Sequence, residues 1–184
     1  MLTMEMQVVL VVRNTFFHLW RIARLHPYLD TRVLTTLVRA LVISRLDHCN
    51  ALYVGLPLRL MRKLQVVQNA AARLLTGVKK HQHISPVLAM LHWLPIHFCI
   101  DFKVLMLTYK ALNGLGPRYL AERLLPPRCT RITRMSQEVR LRSLTPREAQ
   151  REKTRSRAFL AVSPSLWNNL PPENREAPML GTFK

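Results

Sequence analysis

The sequence predicts an all-α protein: an irregular helical bundle of about six helices, followed by a basic, partly extended C-terminal segment. Three observations predict this fold class. Apolar residues recur at spacings of three and four over most of residues 1–125, which is typical of helices with one buried face. Proline, glycine and capping residues delimit these segments. Apolar residues make up 49% of the 184-residue chain, enough for a hydrophobic core.

The first two helices are predicted from their caps. One is expected over Glu5–His26, with Thr3 as the N-cap and Pro27 as the stop. The next begins at Asp30. A buried face is predicted for it from apolar residues at helical spacing, namely Val33, Leu34, Leu37, Val38, Leu41 and Val42.

The clearest helix is expected over Pro57–Thr76. Proline suits the first turn of a helix, and Gly77 suits the position just past the end. At about 100° per residue, one third of its circumference is apolar. That face holds Leu60, Leu64, Val67, Ala71, Leu74 and Leu75.

Three further helices are predicted, over Ser85–His92, Pro95–Leu112 and Gly116–Leu125. A proline lies at or near the start of each, where its missing N–H is tolerated. The helix over Pro95–Leu112 is apolar nearly all round, which favours a central place in the fold.

We predict three regions along the chain. Residues 1–125 form a helical domain, residues 126–157 a basic segment or linker, and residues 158–184 a short tail anchored by Trp167. The basic segment holds ten lysines and arginines against three glutamates, and short strands are expected around Val139–Leu144. In the tail, Ser163 and Pro164 suggest a helix start.

The charge balance points to a polyanionic partner. The chain has 28 lysines and arginines against 10 acidic residues, a net charge of +18. Nucleic acid is the expected partner, and an anionic membrane surface is the alternative. The three cysteines are widely spaced and odd in number, which favours reduced thiols. We find no signal peptide and no transmembrane segment, so an intracellular location is expected, nuclear or cytoplasmic.

A basic stripe along the helix over Pro57–Thr76 is the first candidate site. Cations on one helix face can contact successive phosphates without reading sequence. No acidic residue occurs between positions 56 and 82 to pair with them along the helix. The alternative is an ordinary solvated face. The stripe comprises Arg59, Arg62, Lys63 and Arg73, and Lys79 and Lys80 extend it.

The basic segment is the second candidate. Arginine-rich flexible segments often become ordered on RNA, although this segment could equally be a linker. Its candidate contact residues are Arg147, Arg151, Lys153, Arg155 and Arg157.

The sequence predicts no metal site, no cofactor and no catalytic residue. His92 and His97 have part of a zinc-ligand spacing, but no cysteine pair accompanies them. No nucleophile elbow and no glycine-rich phosphate loop occurs. Trp20, Trp93 and Trp167 could stack on bases, but packing in the core is expected for the last two.

Several segments, in this order, resemble a known family. They are SRLDHCNALYVGLP at Ser44–Pro57, QNAAARLLTG at Gln68–Gly77, LHWLP at Leu91–Pro95, YKALNGLGPRYL at Tyr109–Leu120 and LWNNLP at Leu166–Pro171. Together they resemble the C-terminal region of the reverse transcriptase polyprotein of LINE-type (non-LTR) retrotransposons, in the chicken-repeat and Jockey-like branch. The resemblance covers nearly the whole chain.

The resemblance implies a non-catalytic fragment of an RNA-directed DNA polymerase. The family's paired aspartates are not present, since Asp30, Asp47 and Asp101 are isolated, and the chain is expected to be truncated at both ends. It would hold RNA or DNA through phosphate contacts, and upstream polymerase domains are implied as partners in trans. Two alternatives stay open: a helical protein-interaction module, or an element remnant with no selected function.

Overall fold

The computed structural model describes residues 3–124, 140–145, 147 and 159–183. These residues form helices joined by turns and contain no strand, so the predicted all-α class is confirmed. They contain more than the six predicted helices, because one predicted helix is interrupted and the tail forms three short ones. The chain divides into two compact units, Met1–Ile100 and Asp101–Lys184. The predicted boundaries at residues 125 and 157 fall outside the described residues and stay predictions.

The first helix, α1, spans Met4–Leu25, within one residue of its predicted bounds. Thr3 is the N-cap, and its hydroxyl accepts a hydrogen bond from the backbone N–H of Met6 at 3.3 Å. A 3₁₀ turn over His26–Tyr28 follows, with a proline in its first turn. Local capping and a proline stop therefore define both ends of α1.

The second predicted helix is interrupted by a π turn. Helix α2 spans Thr31–Val38, the π turn spans Arg39–Ile43, and α3 spans Ser44–Asp47. Asp30 caps α2 by accepting a hydrogen bond from the N–H of Arg32 at 3.4 Å. The buried side chains of this stretch occur at intervals of four: Leu34, Val38, Val42 and Leu46.

The π turn explains why residues four apart stay on one face. In an α-helix a spacing of four drifts by about 40° per step, and a wider turn of about 4.4 residues reverses that drift. Val33 was predicted to be buried and is instead 47% exposed. Leu34 takes the core position next to it.

Helix α4 spans Leu58–Thr76 and packs against α1. Pro57 is the N-cap residue rather than the first residue of the helix, so α4 begins one residue later than predicted. Gly77 has φ +68°, the left-handed conformation expected of a glycine that ends a helix, and its N–H donates to the Arg73 carbonyl. Of the predicted apolar face, Leu60, Leu64, Val67 and Ala71 are buried, while Leu74 and Leu75 are half-buried.

Helix α5 spans Ser85–Met90 and α6 spans Ile96–Leu112, close to their predicted bounds. Helix α5 packs against α4 through a small cluster of buried residues, namely Ala72, Val87 and Leu88. Trp93 packs against this cluster, as predicted from its apolar neighbours.

Two glutamines of α4 fasten the start of α6. The Oε1 of Gln65 accepts a hydrogen bond from the N–H of Ile96 at 2.8 Å. The Nε2 of Gln68 donates to the Leu94 carbonyl at 2.8 Å. The first N–H groups of a helix have no partner within it, so Gln65 acts as a cap provided by a neighbouring helix.

In the second unit, four short helices with described bounds follow α6. Helix α7 spans Arg118–Ala121, α8 spans Phe159–Asn168, α9 spans Pro172–Arg175 and α10 spans Leu180–Phe183. Helix α7 is shorter than the predicted helix over Gly116–Leu125, because turns replace it after Ala121.

The predicted helix start at Ser163 and Pro164 is wrong. Helix α8 begins at Phe159, and Pro164 lies inside it. A proline costs an interior hydrogen bond, but this helix is only 10 residues long and contributes the fully buried Trp167 to the core. Burial of that side chain outweighs the local preference of proline for a first turn.

Three stacked aromatic side chains lie within the core of the second unit. The Tyr109 and Phe183 rings stack with centroids 4.5 Å apart, and the Trp167 and Phe183 centroids are 5.8 Å apart. The Tyr109 hydroxyl donates to the Ala177 carbonyl at 2.8 Å. Trp167 is thus the predicted anchor of the tail.

The strands predicted around Val139–Leu144 do not form within residues 140–145. Leu141 is buried, and its backbone pairs with one side chain: its N–H donates to Asn168 Oδ1 at 2.9 Å, and its carbonyl accepts from Asn168 Nδ2 at 2.7 Å. This amide provides the two hydrogen bonds that a neighbouring strand would otherwise supply.

Candidate nucleic-acid interface

The exposed face of α4 carries three of the predicted contact residues. Arg59, Arg62 and Lys63 are all exposed, while Leu60 and Leu64 between them are buried. Helical geometry places the two sets on different faces, because residues three or four apart share a face. A groove beside this surface is lined by Leu58, Met61, Arg62, Gln65, Ile96 and His97.

Arg59 is paired across helices. Its Nη2 lies 2.7 Å from Glu5 Oε1, on α1. Both side chains are largely exposed, so the pair adds little stability, but it offsets the charge of Arg59. Sequence reasoning missed this pair because Glu5 lies far from Arg59 along the chain. Arg62 and Lys63 have no ion-pair partner among the described residues.

Arg73 has a structural role in addition to its predicted one. Its side chain is half-buried, and Nη2 donates to the carbonyls of Lys80 at 3.5 Å and Gln82 at 3.2 Å. These bonds hold the loop after α4, on which Lys79 and Lys80 are exposed. Arg73 therefore positions the two lysines, and its own phosphate contact stays a prediction.

The C-terminal candidates are only partly described. Arg147 is exposed. The other predicted contact residues of the basic segment, Arg151, Lys153, Arg155 and Arg157, lie outside the described residues.

Outside α4, the outer face of α1 combines aromatic rings with arginines. Phe17 is 54% exposed and Trp20 is 57% exposed. The guanidinium carbon of Arg21 lies 5.6 Å from the Phe17 centroid, and that of Arg24 lies 4.9 Å from the Trp20 centroid. A helical wheel of Glu5–His26 places these four side chains close together, so the sequence already carried this signal.

The electrostatic setting of the first unit is strongly positive. Residues 1–100 hold twelve lysines and arginines against three acidic residues, a net charge of +9. Burial, and to a smaller extent the cations Arg45 and Arg21, lower the pKa of His18 below its ordinary value. A charge of this size attracts polyanions and weakens with salt.

The histidines and cysteines do not assemble into a metal centre in the part of the chain that the structure describes. Cys99 is half-buried, and its thiol donates to the Leu94 carbonyl at 3.2 Å. Burial, then the carboxylate of Asp47, raise the pKa of this thiol. A protonated thiol is a poor metal ligand and a poor nucleophile.

The segments that carry the family resemblance supply internal contacts. Gln68 bonds Leu94, which joins two of these segments, and Tyr109 and Trp167 of two others belong to one buried cluster. These side chains hold helices together, whereas the exposed cations Arg59, Arg62 and Lys63 lie between two of these segments.

No helix within the described residues is long and apolar enough to cross a membrane. Comparisons with protein-family models, curated proteins and solved structures give no match to this chain.

Proposed function

We propose that this chain binds the backbone of nucleic acid without sequence selectivity, as the non-catalytic C-terminal region of a LINE-type reverse transcriptase. The proposal rests on the exposure of two neighbouring cations, Arg62 and Lys63. Both are exposed on α4, and neither has a carboxylate partner among the described residues. Unpaired cations on a rigid helix are available for phosphate contact.

The mechanism is phosphate neutralisation with release of counterions. Arg62 and Lys63 contact phosphates from α4, while Lys79 and Lys80 do so from the loop that Arg73 holds. Phosphate contacts of this kind fix position but carry no sequence information. The groove beside Arg62 gives room for a sugar or base next to a bound phosphate.

In this proposal the chemistry belongs to another domain. Two-metal phosphoryl transfer needs carboxylates that converge on metal ions about 4 Å apart, and the resemblance assigns those carboxylates to a polymerase domain. The present chain holds template RNA or target DNA against that domain, in cis or in trans.

A protein-interaction module is the second candidate. It is favoured by exposed apolar side chains near the start of α1, namely Met6, Val9 and Leu10. Nuclease treatment distinguishes the two: a protein that co-purifies after treatment supports the interaction module, and loss of all partners supports nucleic-acid binding.

The direct test compares two variants that each lose one positive charge. Arg62→Gln removes an unpaired cation, while Arg118→Gln removes one that is paired with Glu122 at 2.8 Å. Binding to single-stranded RNA is measured by fluorescence anisotropy over a range of salt. We expect Arg62→Gln to reduce the slope of log K against log salt by about 0.7, and Arg118→Gln to leave it unchanged. Equal slopes for the wild type and Arg62→Gln would contradict the proposed contact.

A further inference from the structure

The outer face of α1 carries a compact stripe of aromatic and cationic side chains. At about 100° per residue, its members lie within roughly 100° of the helix circumference. We call this stripe the α1 stacking face; it comprises Arg13, Phe17, Trp20, Arg21 and Arg24.

The two rings are held at the surface. More than half of each is exposed, and in each case the arginine one turn later lies over the ring, at 5.6 Å for Phe17 and 4.9 Å for Trp20. Such cation–π contacts fix the ring orientation without burying it. Guanidinium planes and aromatic faces are the surfaces on which unpaired bases stack.

The charge around this face is complementary to a polyanion. Glu5 is the only acidic residue of α1, and it is paired with Arg59. Next to Phe17, burial is the main reason that the pKa of His18 is lowered, and Arg45 and Arg21 add to the effect.

We propose that the α1 stacking face binds single-stranded nucleic acid, with bases stacked on Phe17 and Trp20 and phosphates on Arg13, Arg21 and Arg24. The inference rests on the proposed function and deepens it: the ligand must have unpaired bases, which backbone contacts alone do not require.

The placement of the cations favours this ligand over a membrane or a protein. A helix that lies on a membrane keeps its cations on the polar face, whereas Arg13 and Arg24 fall between the angular positions of Phe17 and Trp20. The centre of a protein interface is depleted of charge, and here the centre of the stripe is charged.

The test uses two oligomers with the same number of phosphates. One is a twelve-nucleotide oligothymidylate, and the other is an abasic oligomer of equal length. The variant is Phe17→Leu/Trp20→Leu, which keeps apolar volume but removes the rings. Tyr119→Leu removes an aromatic side chain that is 66% exposed on α7 and serves as the control. A third variant, Phe17→Leu/Trp20→Phe, keeps one ring, at position 20.

We expect the wild type to bind oligothymidylate more tightly than the abasic oligomer. The double variant should lose at least about fivefold in oligothymidylate affinity per ring, the lower end of what base stacking contributes. Its affinity for the abasic oligomer and its salt slope should not change. Phe17→Leu/Trp20→Phe should regain most of the affinity that removal of the Trp20 ring costs, and Tyr119→Leu should behave as the wild type.

The other outcomes overturn the inference in distinguishable ways. If the wild type binds both oligomers with equal, salt-dependent affinity, base stacking on α1 is contradicted and the proposed function is retained. If the wild type binds neither oligomer in dilute buffer, both the stacking inference and the proposed function are contradicted. Loss of binding to phosphatidylserine vesicles in the double variant, without loss of oligothymidylate binding, assigns the face to a membrane. Loss of self-association in that variant, again without loss of oligothymidylate binding, assigns it to a second copy of the chain.

Discussion

Single buried hydrogen bonds connect distant parts of the second unit. The hydroxyl of Tyr109 donates to the Ala177 carbonyl at 2.8 Å, and both residues are nearly inaccessible to solvent. An unpaired buried carbonyl is costly, because it has lost its water and gained no partner. This one bond therefore holds the segment between α9 and α10 against α6.

Tyr109→Phe should lower the free energy of unfolding by about 1–2 kcal/mol, because it leaves the Ala177 carbonyl without this donor. Tyr119→Phe makes the same chemical change on a side chain that is 66% exposed and should change stability little. Urea unfolding measures both. Equal stabilities for the two variants would show that the Tyr109 hydroxyl contributes nothing.

The two described cysteines differ in their surroundings. Cys49 is exposed, whereas Cys99 is half-buried and its thiol donates to the Leu94 carbonyl. Burial, then Asp47, raise the Cys99 pKa, so less of its reactive thiolate is present at neutral pH.

Iodoacetamide at pH 8 should therefore modify Cys49 first. The rate at Cys99 should continue to rise at pH values above the ordinary range for a thiol, because its raised pKa shifts thiolate formation upward. Peptide mass spectrometry over time measures each site in the same sample. Alkylation of Cys99 as fast as Cys49 at pH 8 would contradict the assigned environment.

At the scale of elements, helix ends follow local chemistry. Gly77 ends α4 with φ +68°, and a methyl group built there would meet nothing within 4 Å. A substitution at Gly77 thus tests backbone conformation alone, since no steric clash contributes.

Gly77→Ala should destabilise the protein by about 1 kcal/mol, the cost of placing an L-residue in the left-handed region. Gly181→Ala also has open space but lies inside α10 without a positive φ, so it should be neutral or slightly stabilising. Thermal unfolding of the two variants provides the comparison. A neutral Gly77→Ala would remove the argument that this glycine is required to end α4.

Three helix ends were predictable from local signals, whereas the local Ser163 and Pro164 signal was misleading. Thr3, Asp30 and Gly77 gave the ends of three helices correctly, because a cap acts within a few residues. The π turn over Arg39–Ile43 was not predictable in this way. Its residues are compatible with a regular helix, and the spacing of four along the core selects the wider turn.

Features that depend on contacts between residues far apart in the sequence were not predicted, because local patterns do not report such contacts. The Glu5–Arg59 pair joins two helices, and the interior place of Pro164 follows from the burial of Trp167. The candidate contact residues were predicted from charge and, on α4, from their shared helix face. The structure adds which of the described ones are unpaired, exposed or engaged in holding a loop.

At the scale of the whole molecule, charge is the dominant property. Each of the two compact units carries a net charge of +9, since residues 101–184 hold sixteen lysines and arginines against seven acidic residues. Self-repulsion of this size weakens a compact fold, and bound polyanions relieve it. RNA or DNA should therefore both bind to the folded chain and stabilise it.

The most direct measurement is the affinity of the folded chain for single-stranded RNA between about 50 mM and 200 mM salt, with folding checked by circular dichroism in the same buffers. We expect tight binding at low salt that weakens steeply as salt rises. No binding in dilute buffer, or an affinity that does not change with salt, would contradict it.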